Sequence, residues 1–167
     1  MKKLLIVSDN HFNNIDKITN KFIDECDLLI HVGDSQFKYY DTQLQNYHVK
    51  VTGNNDFGRE FLSDAVLNIG VHKLYITHGH YDNVNFGLND LVKKAKQNEC
   101  NIAIFGHTHI PTNTYIDDVL CLNPGSTDFP RGGFKIGTFL ILEIDDVENI
   151  FKPQFYNANS LEKIELS

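Results

Sequence analysis

The chain has 167 residues, 41% of them hydrophobic, and carries a formal net charge of −7 at pH 7. Its length predicts a single domain, residues 1–167, and its acidic balance argues against binding long nucleic acids through overall charge. No run of residues approaches the roughly 20 apolar residues of a membrane-spanning helix, so we expect no membrane association. The three cysteines lack metal-type spacing, which indicates a reducing cytoplasm without disulfides.

Short apolar strands alternate with helical segments in the first two thirds of the sequence. In chain order we predict a strand at 2–7, a helix at 13–24, strands at 28–32 and 49–52, a hairpin of 66–69 and 73–77 turning at Gly70, a helix at 90–98 and a strand at 102–105. From residue 114 the pattern contains strands only, at 114–116, 119–122, 136–144 and 150–156. This order predicts parallel strands covered by helices, with a second sheet packed on the first.

Polar side chains follow five of these strands at the point where each strand ends. They are Asp9 and His11, Asp34, Asn54, His78, and His107 with His109. Because the carboxyl ends of parallel strands form the ligand-binding edge of a sheet, we expect these side chains to meet. In an extended segment, side chains i and i+2 point the same way, so the D-x-H and H-x-H pairs should each face one cluster.

The residue types in this set suit metal ions. Carboxylate, amide and imidazole ligands without thiolate are typical of Mn, Fe, Zn, Ni or Co sites. Seven ligands are too many for one ion and fit two ions that share a carboxylate, roughly 3.5–4 Å apart. Asp34 is the natural bridge, since it stands alone on its loop and is central in the series.

The ordered motifs D-x-H, G-D, G-N-x-D, H-G-H and G-H-T-H resemble those of the calcineurin-like metallophosphoesterase superfamily. The stretches HVGDSQ, VTGNNDF, ITHGH and LNPGSTDFPRG resemble its small bacterial YfcE-like phosphodiesterase branch. This resemblance covers nearly the whole chain and implies a four-layer αββα sandwich holding two divalent ions. We expect Mn²⁺, with Ni²⁺, Fe²⁺, Zn²⁺ and Co²⁺ as alternatives. The implied first site is Asp9, His11, Asp34 and His109, and the second is Asp34, Asn54, His78 and His107.

The resemblance further implies hydrolysis of a small phosphodiester by a hydroxide held between the two metals. Asn55 stands where many members of the superfamily carry a histidine, and an amide cannot serve as a general acid. This change argues against strong monoesterase activity and leaves His80 as a candidate acid. Asp56 is a further catalytic candidate. Arg131 is a candidate phosphate contact and is favoured over Arg59.

The sequence leaves several alternatives open. The rivals are a binding scaffold on the same fold, a phosphomonoesterase or nucleotidase, a barrel amidohydrolase and a nuclease. Retention of all seven ligand positions argues against the scaffold. The chain length and the late H-x-H argue against the amidohydrolase, and the acidic charge argues against a nuclease that acts on long nucleic acids. Aromatic residues of the loops 34–41 and 81–88 could stack a base or simply pack. We expect the turn 123–126 to support the site loops and His31 to lie behind a ligand. The C-terminal strands could pair with a second copy, so the oligomeric state stays open.

Overall fold

Two β-sheets and two α-helices make up residues 1–166, the part of the chain that the structure, a computed structural model, describes. The first five elements are β1 (Lys2–Val7), α1 (Asp16–Phe22), β2 (Leu28–His31), β3 (Val49–Lys50) and β4 (Asp64–Ile69). They are followed by β5 (His72–Thr77), α2 (Asn89–Gln97), β6 (Ile102–Ile104), β7 (Thr112–Ile116) and β8 (Val119–Asn123). The chain closes with β9 (Thr138–Ile144), β10 (Phe151–Asn157) and β11 (Lys163–Ile164). Within residues 1–166 no helix has the length and apolar character needed to cross a membrane.

The strands form two mixed sheets, each with a parallel centre. The first has the order β11-β10-β9-β1-β2-β3, in which β1, β2 and β3 are parallel and β9 runs antiparallel to β1. The second has the order β4-β5-β6-β8-β7, in which β5, β6 and β8 are parallel. The carboxyl ends of the parallel strands in both sheets carry the predicted site residues, so each sheet supplies half of the site.

Strand β1 shows why the sheets must be covered on both faces. Its residues Leu4, Leu5, Ile6 and Val7 are all fully buried, in a continuous apolar run typical of a strand with two covered faces. Leu4 and Ile6 pack into the core between the sheets, whereas Leu5 and Val7 belong to the outer core that includes α1.

Helix α2 covers the outer face of the second sheet in the same way, through Leu91, Val92 and Ala95. The layers are therefore helix, sheet, sheet and helix. The predicted four-layer αββα sandwich is confirmed.

Several predicted boundaries are corrected by the structure. Helix α1 is limited to Asp16–Phe22 because the Asn14 side chain accepts a hydrogen bond from the Asp16 amide just before it, as turn residues do. The weak helix before β3 is a single 3-10 turn, Thr42–Leu44. The predicted hairpin turns at Gly70, whose φ of +57° lies in the left-handed region. Strands β9 and β10 return to the first sheet instead of joining the second, and β11 was not predicted.

Candidate metal centre

Loops from both sheets bring the predicted ligands to one place. The Nε2 atom of His78, after β5, lies 3.3 Å from a carboxylate oxygen of Asp34, after β2. The Nε2 atom of His109, after β6, lies 3.3 Å from Oδ1 of Asp9, after β1. His11 lies between the two carboxylates, with its Nε2 3.8 Å from Asp9 and 3.7 Å from Asp34. The prediction that these strand ends meet therefore agrees with the geometry.

The backbone of these loops is not extended, and this corrects the argument from i and i+2 side chains. Five of the seven predicted ligands have positive φ: Asp9 (57°), His11 (44°), Asp34 (58°), His107 (69°) and His109 (61°). Left-handed conformations are uncommon for residues other than glycine and concentrate at functional sites. Tight left-handed turns, not strand alternation, bring each pair of side chains together.

Hydrogen bonds at Nδ1 fix the ring orientation of three histidines. Nδ1 of His78 donates to the carbonyl oxygen of Val32, and Nδ1 of His109 donates to the carbonyl oxygen of Phe129, each at 2.7 Å. Nδ1 of His11 lies 2.7 Å from the side-chain oxygen of Gln36. Because an oxygen acceptor holds the proton on Nδ1, the Nε2 atom of each neutral ring presents a lone pair to the two carboxylates. Metal-binding histidines are held in this way.

The two carboxylates are also held by donors of the protein. Oδ2 of Asp9 accepts hydrogen bonds from the Ser8 hydroxyl and from the His107 amide, while its Oδ1 has none. Asp34 accepts bonds from the backbone amide (2.9 Å) and side-chain amide (3.0 Å) of Asn55. One oxygen of Asp9 is thus anchored and the other is free to bind a ligand.

Electrostatics couple His78 to these carboxylates. Burial alone would lower the pKa of His78, but the charges of Asp9 and Asp34 raise it to about 9. Burial would likewise raise the pKa of Asp34, but the charge of nearby His78 and two hydrogen bonds from Asn55 hold it well below its ordinary value. Without another cation, the proton on His78 is what balances the buried carboxylates.

A cation fits this arrangement. Asp9, His11 and His109 bring one ligand atom each within 4.8 Å of one another, and so do Asp34, His78 and His107. These two groups match the two predicted sites, apart from the shared Asp34 and the amide ligand Asn54. Oδ1 of Asp9 and Nε2 of His78 are buried without any hydrogen-bond partner in residues 1–166. Buried polar atoms without partners are costly, and one ion in each group would satisfy both of these atoms.

The next predicted site residues are Asn54, Asn55 and His80. Asn54 and Asn55 are both exposed, and the Asn55 side chain donates a hydrogen bond to Asp34. Metal binding by Asn54 stays a prediction. The ring of His80 stacks on Tyr81, with centroids 4.0 Å apart, and lies 5.4 Å from the ring of His78. Burial, together with the charge of nearby His78, lowers the pKa of His80, so its neutral form is favoured. His80 therefore borders the centre, with its Nδ1 buried and without a hydrogen-bond partner in residues 1–166. Its role as the general acid stays a prediction.

The structure gives Asp56 a supporting role. Its carboxylate accepts three backbone hydrogen bonds, from Asp34 (2.7 Å), Gly53 (2.7 Å) and Gln36 (2.9 Å). These contacts join the loops after β2 and β3 and make Asp56 a positioning residue for Asp34. A direct catalytic role of Asp56 stays a prediction.

Neither arginine side chain bonds to a residue of the centre within residues 1–166. Both Arg59 and Arg131 are exposed, and neither guanidinium forms an ion pair or a side-chain hydrogen bond within residues 1–166. The backbone amide of Arg131 bonds to the carbonyl of His109, which places this residue on a neighbouring loop. A phosphate contact by Arg131 stays a prediction.

Supporting contacts reach the centre from outside the predicted set. The Ser126 hydroxyl donates to the backbone carbonyl of Asp9 at 2.7 Å, and the Asn123 side chain donates to the carbonyl of Gly106 at 3.0 Å. The turn 123–126 therefore supports the site loops, as predicted. Ser8 and Gln36, which hold Asp9 and His11, were missed because neither residue type nor spacing distinguishes them from ordinary loop polar residues.

His31 supports the same loops from within β2. Its Nδ1 accepts the amide of Gly33 at 3.1 Å, so its Nε2 donates to the Asn10 side chain at 2.7 Å. Burial lowers the pKa of His31 to about 4, which keeps the ring neutral. His31 thus lies directly behind the loops that carry Asp9 and Asp34, as expected.

Metal binding should release a proton from His78. A ligating imidazole must be neutral, and the raised pKa keeps His78 protonated at neutral pH in the metal-free protein. This charged pair stabilises the metal-free fold below the unfolded pKa of about 6.5, and that contribution is lost as pH rises through the folded pKa of about 9. We therefore expect Mn²⁺ affinity to rise between about pH 6 and 8, by up to about tenfold per pH unit.

Calorimetric titration in two buffers of different ionisation enthalpy counts the released protons. The control is the exposed His48 changed to Gln, which should release as many protons as the unchanged protein. Equal heats in both buffers, or an affinity independent of pH, would contradict the prediction.

Asp56→Asn should weaken metal binding without entering the chemistry. The side-chain NH2 of asparagine is a donor and cannot accept a hydrogen bond from a backbone N–H. One or two of the three bonds to Asp34, Gly53 and Gln36 are therefore lost. We expect Mn²⁺ affinity to fall about 10- to 100-fold and the free energy of unfolding to fall by about 1–3 kcal/mol.

The matched control is Asp128→Asn, on an exposed loop next to the centre. If Asp56→Asn left both affinity and stability unchanged and altered only the pH profile of turnover, its positioning role would be wrong.

Comparisons with known proteins agree with this geometry. Residues 1–147 match the calcineurin-like phosphoesterase superfamily domain. The chain is 34% identical over 130 residues to the probable metallophosphoesterase YsnB of Bacillus subtilis, covering 77% of this chain and 76% of that protein. It is 34% identical over 61 residues to the phosphodiesterase YfcE of Escherichia coli, covering 36% and 29%. A crystal structure of a predicted phosphoesterase from Streptococcus pneumoniae superimposes with a TM-score of 0.88 at 29% identity, covering 98% of this chain and 92% of that one. These matches confirm the predicted family, with YfcE among its relatives: the chain belongs to the calcineurin-like phosphoesterase superfamily.

Proposed function

We propose that this protein is a metal-dependent phosphodiesterase that hydrolyses a small phosphodiester with two divalent ions. The observation that carries the proposal is the convergence of three Nε2 atoms, from His11, His78 and His109, on the carboxylates of Asp9 and Asp34. Each of these rings is fixed through Nδ1 by an oxygen acceptor. The printed name of the relative YfcE, a phosphodiesterase, supports the same reaction class.

The residues divide between two ions that share Asp34. One ion would be held by Asp9, His11, Asp34 and His109, and the other by Asp34, Asn54, His78 and His107. Two ions of charge +2 against two carboxylates leave the centre positive, which favours a phosphate anion in an otherwise acidic protein. Mn²⁺ is our proposed metal, because the set mixes imidazole with carboxylate and amide oxygen.

Bound divalent ions supply Lewis acidity: they lower the pKa of a bound water and offset charge on the phosphate oxygens. The protein itself sets the tautomer of the histidine ligands and anchors the carboxylate ligand Asp9. His11, His78 and His109 are held with the proton on Nδ1. The anchored Oδ2 of Asp9 leaves Oδ1 as the ligand atom, so the loops are preorganised for binding before substrate arrives.

Preference for diesters over monoesters is proposed from Asn55. Its side-chain amide donates to Asp34 and stands at the open edge of the centre, where it can reach a phosphate oxygen. An amide can donate a hydrogen bond but cannot release its proton to a leaving group. Substrates with good leaving groups therefore suit this centre best.

A cytoplasmic location is part of the proposal. All three cysteines are free, and Cys100 and Cys121 are buried apolar-type residues. This is the usage expected in a reducing compartment. Residues 1–167 are proposed to act as one domain.

Metal dependence and diester preference are tested in one assay. Metal-stripped protein is titrated with Mn²⁺ while hydrolysis of bis(p-nitrophenyl) phosphate is measured beside p-nitrophenyl phosphate. We expect activity to saturate near two ions per chain, with the diester turned over faster. Asp34→Ala should reduce diester turnover by at least about 10³-fold, because both ions lose their shared ligand.

The fold of Asp34→Ala is checked by circular dichroism, and its metal content by elemental analysis. Normal turnover by this variant would refute the bridging role. Binding of two ions with no turnover of either ester would favour the scaffold alternative.

Asn55→His should add a general acid at the edge of the centre. A histidine at this position can protonate an alkoxide leaving group, which asparagine cannot. We expect hydrolysis of an alkyl phosphodiester to rise by about tenfold or more, while p-nitrophenyl esters, which need no protonation, change little. The ratio of the two rates, measured against pH, reports the new acid. An equal change in both rates would show that Asn55 does not face the leaving group.

A further inference from the structure

The surface has a cleft of about 540 Å³. It lies between the chain after β2 and the chain after β3, the two loops that carry Asp34 and Asn54. Its lining residues are Lys38, Tyr39, Tyr40, Asp41, Phe57, Gly58 and Glu60. Each wall therefore continues directly from a loop that supplies a predicted metal ligand.

The cleft lies close to the predicted ligand Asn54, and hydrogen bonds connect the two loops that line it. Three peptide links separate Phe57 from Asn54, so their Cα atoms are no more than about 11 Å apart. Asp56, which precedes Phe57, bonds to the backbone amides of Asp34 and Gln36 on the opposite loop. The same carboxylate therefore connects the two loops that line the cleft and positions Asp34.

The aromatic residues of the cleft differ in how they are held. Tyr39 is packed: its ring meets Phe61 edge-on at 5.1 Å, and the Lys50 ammonium lies 3.8 Å above its face. Tyr40 and Phe57 are 80% and 89% exposed. The Tyr40 ring also meets Tyr39 edge-on at 5.0 Å, so Phe57 is the less constrained of the two exposed rings that line the cleft and could contact a planar ligand.

We propose that this cleft binds the nucleobase of a nucleoside-containing phosphodiester, by stacking on Phe57 and Tyr40. This inference rests on the proposed phosphodiesterase function, because the phosphate must sit at the metal centre. Stacking on aromatic side chains tolerates every base, since each base has a flat π face.

The charges of the cleft support a neutral ring as its occupant. Asp41 and Glu60 stand against one lysine, Lys38, so a second phosphate group would be disfavoured there. The ring N–H and exocyclic amino groups of bases can donate hydrogen bonds to such carboxylates. The net charge of −7 argues against a long polynucleotide and favours a small nucleotide ester.

Two chromogenic diesters with the same leaving group test the proposal. Thymidine 5′-(p-nitrophenyl phosphate) carries a base, whereas ethyl p-nitrophenyl phosphate does not. We expect the Mn²⁺-loaded protein to prefer the thymidine ester in kcat/KM by about 5- to 150-fold, the range that one stacked base contributes. Phe57→Ala should remove most of this preference without changing kcat/KM for the ethyl ester, and Phe57→Tyr should restore it.

Phe86→Ala is the matched control. Phe86 is also a nearly fully exposed phenylalanine, at 91%, and it follows the loop of His78 and His80 rather than lining the cleft. We expect this variant to keep the preference. Equal loss in both phenylalanine variants, or no preference in the unchanged protein, would overturn the proposal and favour a protein contact for these rings.

A binding measurement separates this inference from the function on which it rests. Thymidine alone, titrated to millimolar concentration into the protein, should shift the amide NMR signals of Tyr40, Phe57 and Gly58. Phe57→Ala should abolish these shifts and Phe86→Ala should not. If neither ester is hydrolysed but the shifts occur, the phosphodiesterase function fails and base binding stands. If both esters are hydrolysed equally and the shifts are absent, base binding fails alone.

Discussion

The structure depends on two carboxylates that are buried where their charge needs an opposite charge. Asp9 is fully buried and Asp34 is 2% exposed, and imidazole Nε2 atoms surround both. Placing ionised groups out of water is costly unless they are paired or bind a cation. In the metal-free state the raised pKa of His78 supplies that cation as a proton. Divalent ions would replace the proton with greater charge and use the lone pairs that the tautomers present.

The fold provides this concentration of charge by joining two sheets at one edge. Parallel strands in both sheets point their carboxyl ends at the same place, and the loops there adopt left-handed turns at Asp9, His11 and Asp34. Such conformations persist only where neighbouring contacts hold them. Here the Asp9 amide bonds to the carbonyl of Gly33, the His11 amide to that of Asp34, and the Ser126 hydroxyl to that of Asp9. Strain at the site is therefore offset by a hydrogen-bond network that crosses between loops.

The sequence predicted the parts of the molecule that local patterns determine. Continuous apolar runs such as 4–7 identified strands with two covered faces, and the polar residues after them marked the site edge. The destination of β9 and β10 could not be predicted, because an apolar strand pattern is the same in either sheet and only tertiary pairing with β1 decides. The hydrogen bonds of Asp56 to the backbone could not be predicted for a related reason: a carboxylate in a motif has the same sequence pattern whether it faces a ligand or its own backbone. The left-handed φ angles of His107 and His109 could not be predicted from the sequence, because neither residue is glycine, the residue type that adopts this conformation most readily.

The most direct test of the account is an anomalous diffraction measurement on crystals of the Mn²⁺-loaded protein. The account predicts two anomalous peaks roughly 3.5–4 Å apart, both bonded to the Asp34 carboxylate. One peak should also contact Asp9, His11 and His109, and the other His78 and His107. A single peak, or two peaks that do not share Asp34, would contradict the dinuclear centre on which the proposed function rests.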